Sequence, residues 1–255
     1  MQPHQYTILD VFAERKYGGN QLAVVEDAQD LSSQKMQLIA REMNFAETTF
    51  ILSKEQRKGG YDVRIFTTSK ELPFAGHPSL GTAFVIQQDI VARKVRQVIL
   101  NLKYGPVPVE FDYQNGKPST LWLNVKNPRF GKLVSPRTIA GLMGIDRNDV
   151  DGRFPPQVVS IGIPFVIAPL RTLKALKRVR PSVDEFDKAG IREILLFCPE
   201  SRDPDNDLAV RFFSRTYDIH EDSATGSANA GLAAYLVKHR YFGKSKIDVR
   251  VEQGH

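Results

Sequence analysis

Two stretches of this chain are built to one plan, and that plan constrains the fold more than anything else in the sequence. RIFT (64–67) is followed by an acidic residue and then by FAGHPSLGTAF (74–84). RFFS (211–214) is followed by an acidic pair and then by SATGSANAGLAAYL (223–236). Each reads as a strand that ends, passes an acid and opens a Gly- and Ala-rich helix. The two tetrapeptides lie 147 positions apart, far beyond the period of about 20–50 residues that marks stacked repeats. A duplicated lobe fits that spacing, and 255 residues suffice for two lobes of ordinary size. The join is expected near QNGKPS (114–119), giving an N-terminal lobe over 1–116 and a C-terminal lobe over 117–255.

The remaining elements fill in around the two phrases. YTILDVFA alternates as a first strand, and YGGNQLAVV supplies a turn and a second strand. DLSSQKMQLIAREMN is an amphipathic helix with Met36, Ile39, Ala40 and Met43 on one stripe and Ser32 or Ser33 as N-cap. TTFIL and YDVRIFT are strands, and HPSLGTAFVIQQ is a helix with Pro78 in its first turn, where a missing N–H does no harm. The middle of the chain, from QVILNL to TLWLNV, is strand-rich and broken by Tyr-Gly-Pro and Asn-Gly turns. SPRTIAGLMG is a short helix between Ser135 and Gly144, and PSVDEFDKAG another, with Ser182 and Glu185 spaced as a capping box. VVSIGIPFVIAPL, EILLFCP and DLAVRFFS return to strand before the second long apolar helix, SANAGLAAYLVKH. Mixed strand order with two such helices predicts an α+β fold, each helix packed against or wrapped by its own mostly antiparallel sheet.

The chemistry is expected at the two helix starts. A helix N-terminus carries about half a positive charge and several unsatisfied N–H groups, so it seats a carboxylate or phosphate. Glycine there lets a ligand approach the backbone. The donors follow Gly76 in one copy and Gly226 and Ser227 in the other, and lobe symmetry would bring them face to face around one small anion. Gly81, Ala83, Ala228, Ala230 and Gly231 are expected to serve close helix packing instead. Glu47, in NFAETTF, sits between a helix and a strand and can project into a cleft, although a lone Glu is commonly a solvated surface residue. Asp222 reads equally as an N-cap or a site residue, and His77 as a cap, a satisfied hydrogen-bonder or a site residue.

Other chemistries find no support. The five histidines and Cys198, the single cysteine, show no metal-ligand spacing, so no metal is expected. Gly-x-Gly-x-x-Gly after a strand, a P-loop and Gly-x-Ser-x-Gly are all absent from the sequence. The net charge of +6 is dispersed, with RKVR (93–96) and LKALKRVRP (173–181) the densest groups and no aromatics between them. That favours an enzyme of anionic metabolites over a nucleic-acid binder. No apolar run approaches a membrane span and no secretory signal is visible, so a cytoplasmic setting without a membrane partner is expected.

These motifs together resemble the phenazine-biosynthesis isomerase (PhzF-like) family. The matching pieces are DVFAERKYGGNQLAVVED, MQLIAREMNFAETTF, VRIFTTSKELPFAGHPSLGTAFV, GPVPV and EDSATGSANAGLAAYL, in order and across both lobes. The resemblance implies the diaminopimelate epimerase-like fold, with two pseudo-symmetric lobes, each a central helix in a mixed sheet, and a site without cofactor between them. It also implies a homodimer. By similarity, Glu47 is the general acid/base, at the position where true epimerases of the fold carry a cysteine. His77 and Asp222 match the family's other polar site residues, Gly76, Gly226 and Ser227 its backbone anion seat, and Asn20 a further contact. The implied activity is a cofactor-independent isomerase acting by proton transfer on a small carboxylate-bearing metabolite. The alternative is a small-anion binding or regulatory module that keeps the fold without turnover. Departures from the family pattern are GNQ for GNP, FTT for FTP and EDSATGS for EDPATGS. The family continues through a Gly-Arg-Pro-Ser strand where this sequence reads VEQGH, so the second lobe is expected to lack its last strand.

Overall fold

The computed structural model describes residues 3–13, 15–124, 128–215 and 220–254. The chain divides into two compact units, residues 1–124 and 125–255. Among the described residues, unit 1 carries strands β1 (Tyr6–Val11), β2 (Asn20–Val25), β3 (Glu47–Ile51), β4 (Tyr61–Phe66), β5 (Glu71–Leu72), β6 (Gln97–Leu102), β7 (Gly105–Gln114) and β8 (Lys117–Leu123), with helices α1 (Ser33–Met43) and α2 (Gly76–Val85). Unit 2 carries β9 (Arg129–Leu133), β10 (Gln157–Ser160), β11 (Pro164–Pro169), β12 (Glu193–Cys198), β13 (Leu208–Ser214), β14 (His220–Asp222) and β15 (Val251–Gln253). Its helices are α3 (Pro136–Met143), α4 (Leu173–Arg178), α5 (Val183–Ala189) and α6 (Gly226–Lys238). The break after Asn124 lies beyond the join expected near 116. Asn115 and Gly116 both take positive φ and close the hairpin between β7 and β8, which keeps β8 in the sheet of unit 1.

The two sheets repeat one pairing scheme. In unit 1, β1 is antiparallel to β2, β2 parallel to β3 and β3 antiparallel to β4, which then takes β5 antiparallel and β6 parallel. In unit 2 the same succession reads β10, β11, β12, β13, β14 and β15. The register repeats as well: Phe50 stands opposite Arg64, and Leu196 opposite Arg211. Unit 1 continues past β6 into β7 and β8, whereas unit 2 adds β9 beside β10. The segment VEQGH supplies β15, parallel to β13; His255 lies outside the described residues.

Each sheet buries both faces, and the alternation of its strands assigns them. Leu22, Val24, Ile51, Val63 and Ile65 pack with Ala83 and Val85 of α2, while Val25, Phe50 and Phe66 pack with Met36 and Ala40 of α1. In unit 2, Phe165, Leu195, Phe197 and Val210 meet Ala228, Leu232 and Tyr235 of α6. Val166, Ile194, Leu196 and Phe213 meet Ile139, Leu142, Leu176 and Phe186 of the outer helices. The helix α2 is therefore apolar nearly all round, as a helix enclosed by its sheet must be. At Gly81 an added Cβ would stand 2.6 Å from Leu22 Cδ2 and 2.9 Å from Val11 Cγ2. The small residue there serves close packing.

The twin tetrapeptides make twin clamps. Arg64 donates from Nε and Nη2 to the two oxygens of Glu71, both at 2.8 Å, and its guanidinium sits 5.0 Å from the Phe66 ring centre. Arg211 does the same to Glu221 at 2.6 and 2.7 Å and sits 4.8 Å from the Phe213 ring centre. Each clamp fixes a short return strand against its neighbour just before a helix starts, which explains the shared order of strand, acid and helix. At PSVDEFDKAG only half a capping box forms. Ser182 accepts from the Glu185 N–H, but the Glu185 carboxylate accepts from Lys188. No helix among the described residues is long and apolar enough to cross a membrane.

Candidate active site

Glu47 is the first residue of β3, in parallel register with Leu22 of β2. Alternation along β3 puts Glu47, Thr49 and Ile51 on the face that meets α2. The hydroxyls of Thr82 in α2 and Thr49 are hydrogen-bonded at 2.8 Å, and Ile51 lies in the same core as Ala83. Glu47 therefore emerges at the start of α2, where His77 Nε2 lies 3.3 Å from Glu47 Oε2. Their side chains are 7% and 16% exposed. Asn20, buried at the start of β2, shares the α2 side with Leu22 and precedes Gln21, whose backbone hydrogen-bonds the His77 ring. Burial pushes the His77 ring down to about 4, the Gln21 bond opposing it only in part. The imidazole is thus neutral near pH 7.

The helix starts differ from the others in the molecule. Ser32, Ser135, Thr172 and Ser182 each cap their helix through a side-chain oxygen, on α1, α3, α4 and α5. At α2, which begins with Gly76 and His77, the flanking residue Ala75 makes no side-chain cap bond. The same holds at α6, which begins with Gly226 and Ser227 after Thr225. Thr225 has the residue type of a cap, yet its hydroxyl donates to Asp222 Oδ2 at 2.6 Å. Asp222 itself ends β14 opposite Phe212. The flanking residue of α6 is Thr225, so the reading of Asp222 as N-cap is replaced by that of a carboxylate held by the cap residue.

The structure thus gathers Asn20, Glu47, Gly76 and His77 at the start of α2, and Asp222, Gly226 and Ser227 at the start of α6. Sequence reasoning missed Thr225 and Gln253. Gln253 Nε2 donates to the Asp222 carbonyl at 2.9 Å and to Thr225 Oγ1 at 3.0 Å. Its Oε1 accepts from the Thr225 N–H at 3.2 Å and from Asn229 Nδ2 at 2.9 Å. Nothing local in VEQGH announces this, because the contact exists only once β15 pairs with β13.

Comparison with known proteins agrees with this architecture. The phenazine biosynthesis-like protein family (PhzC-PhzF) matches residues 9–255. The trans-2,3-dihydro-3-hydroxyanthranilate isomerase of Pseudomonas aeruginosa is 33% identical over 237 residues, covering 93% of this chain and 81% of that protein. The solved Bacillus anthracis phenazine biosynthesis protein of the PhzF family superposes with a TM-score of 0.87 at 26% identity, over 99% of this chain and 87% of that one. A probable proline racemase from Agrobacterium radiobacter shares the fold, with a TM-score of 0.59 at 11% identity over 98% of this chain and 82% of its own. A chain with these repeated sheets and this match along its length belongs to the phenazine biosynthesis-like (PhzC-PhzF) family and is an isomerase with a diaminopimelate epimerase-like α+β fold.

Proposed function

We propose that the protein moves a proton within a small carboxylate-bearing metabolite, without a cofactor, and that Glu47 is the base. The observation that carries this reading is the Glu47–His77 pair, 3.3 Å apart at the start of a helix whose flanking residue, Ala75, makes no side-chain cap bond. In the reaction a C–H bond of the substrate breaks, its proton goes to the Glu47 carboxylate, and the electron pair enters the adjoining π-system. The same proton, or one exchanged with solvent, is then returned to another carbon, so atoms and charge balance. A substrate carboxylate is favoured at a helix start such as Gly76–His77 or Gly226–Ser227, where backbone donors and the helix dipole stabilise an anion. Asn20 beside the first of these starts and Asp222 beside the second are the polar groups offered to substituents. A positioned acid–base group supplies about 10²–10⁴-fold, and fixed donors facing developing charge supply more.

The test is proton exchange with solvent. The protein is incubated in deuterium oxide with trans-2,3-dihydro-3-hydroxyanthranilate, the compound in the name of the Pseudomonas relative, and with a panel of small cyclic and linear carboxylates. Carbon-bound deuterium in product or recovered substrate is expected, and Glu47→Gln should slow its appearance by about 100-fold or more. Equal exchange in that variant would remove Glu47 as the base. Saturable binding across the panel with no exchange would instead favour a non-catalytic anion-binding module.

A further inference from the structure

We infer that Gln253 is a positioning residue that sets the direction of the Thr225 hydroxyl and so holds the Asp222 carboxylate as an oriented acceptor. This rests on the reading of Asp222 as a residue of the site. The side-chain amide of Gln253 has two donor hydrogens and two acceptor lone pairs. All four are used: Nε2 on the Asp222 carbonyl and on Thr225 Oγ1, Oε1 on the Thr225 N–H and on Asn229 Nδ2. Only one orientation of the amide satisfies them, because a flip would set oxygen against the Asp222 carbonyl and N–H against N–H at Thr225. Since Nε2 can only donate, Thr225 Oγ1 must accept from it. The single hydroxyl hydrogen of Thr225 is thereby directed along its other short contact, to Asp222 Oδ2 at 2.6 Å. A backbone feature makes room for this: Gly254 has φ +84°, and a Cβ there would stand 2.6 Å from the Ser223 carbonyl oxygen.

The repeat provides an internal control. The register that sets Tyr61 opposite Leu100 and Leu208 opposite Val251 places Leu102 of unit 1 where Gln253 stands in unit 2. Leu102 is buried in the core around α2, and the residue before α2 is Ala75, with no hydroxyl to direct. One helix start is therefore built without the relay, so the fold does not require it. The arrangement also explains why Thr225 does not cap α6 as Ser32, Ser135, Thr172 and Ser182 cap their helices.

The experiment follows the Asp222 carboxyl carbon by NMR in protein carrying ¹³C-labelled aspartate, the resonance being assigned through Asp222→Asn. Titrations compare the parent with Thr225→Ser, Thr225→Val and Gln253→Glu, and thermal melting confirms that each is folded. Thr225→Ser keeps the hydroxyl and should titrate as the parent does. Thr225→Val removes the donor, and Gln253→Glu turns it away toward a new acceptor. Each should raise the Asp222 titration midpoint by about one pH unit, as expected for a carboxylate that loses a hydrogen bond. A change in stability alone would not move that midpoint. Folded Thr225→Val with the parent midpoint overturns the relay, and a shift in Thr225→Val without one in folded Gln253→Glu overturns the part assigned to Gln253. The Asp222→Asn protein also enters the deuterium exchange assay. Undiminished exchange there would end the functional reading of Asp222 while leaving the relay to be judged by the titration.

Discussion

His77 Nε2 stands 3.3 Å from Glu47 Oε2, joining the start of α2 to the start of β3. With the ring neutral and its other nitrogen available to the Gln21 backbone, Nε2 would offer a lone pair to the proton that Glu47 takes up in the proposed reaction. The two side chains would then act as one proton-holding unit, and groups that act as a unit are not additive. His77→Asn is expected to slow carbon–deuterium exchange by about 10–100-fold. The double variant with Glu47→Gln should be no slower than Glu47→Gln alone. Multiplicative losses, measured as initial exchange rates, would show that the two act independently.

Burial of His77 also couples folding to pH. Its folded value of about 4 lies below the ordinary value of 6.5, so below pH 6.5 the unfolded chain binds a proton that the folded chain does not. The stability from keeping the ring neutral is present above pH 6.5 and is lost as pH falls toward 4. The loss is at most about 3 kcal/mol, and a carboxylate 3.3 Å away works to reduce it. Urea unfolding of the parent and of His77→Asn between pH 7 and pH 5 checks this. The parent should lose stability relative to the variant as the pH is lowered, and parallel curves would contradict it.

What the sequence made legible follows from which contacts are local. The helix starts, with their glycines and Pro78, and the caps Ser32 and Ser135 were readable because their partners lie within four residues. The duplication was readable because Arg64 and Arg211 each need an acid and a ring close by in the chain. The clamps themselves needed the strand register. Gln253 stayed hidden because its partners, Asp222 and Thr225, are reached only through the parallel pairing of β15 with β13. The join was read at the Asn-Gly turn because such a turn serves a linker as readily as the hairpin it closes here. The short helix α4 was obscured by its charge: Lys174, Lys177 and Arg178 read as a basic run, while Ala175 and Leu176 are its buried face.

Gly81 and Gly231 hold matching places in α2 and α6 but should respond oppositely to alanine. At Gly81 the new methyl would stand 2.6 Å from Leu22 and 2.9 Å from Val11, so these buried side chains would have to shift, whereas at Gly231 the nearest atom is 3.7 Å away. Overpacking costs about 1–3 kcal/mol, and alanine gains about 1 kcal/mol over glycine inside a helix. Gly81→Ala is therefore expected to lower the melting temperature. Gly231→Ala should leave it unchanged or raise it by a few degrees. Differential scanning calorimetry distinguishes these, and a destabilised Gly231→Ala would mean that α6 is held more tightly than its contacts indicate.

The twin clamps should also be unequal, and the reason is in what else each arginine does. Arg64 gives a further N–H to the Ser33 hydroxyl at 3.0 Å, an exposed partner that water can replace. Arg211 donates from Nη1 to the carbonyls of Leu176 and Val179, at 3.0 and 3.3 Å, at the end of α4. Replacing Arg211 by methionine keeps much of the apolar stem but takes one donor from each carbonyl, leaving Leu176 the Val179 N–H at 3.4 Å and Val179 the Arg180 Nη1 at 2.8 Å, and losing two part-buried bonds costs more than losing a surface pair. Arg64→Met is expected to cost about 1–2 kcal/mol and Arg211→Met about 1 kcal/mol more. Because the chain has two compact units, the loss should be read in each separately, by amide hydrogen exchange of β4 and β13 as well as by denaturant unfolding. If the two substitutions cost the same, the carbonyl bonds of Arg211 contribute nothing, and the clamps are alike in energy as well as in form.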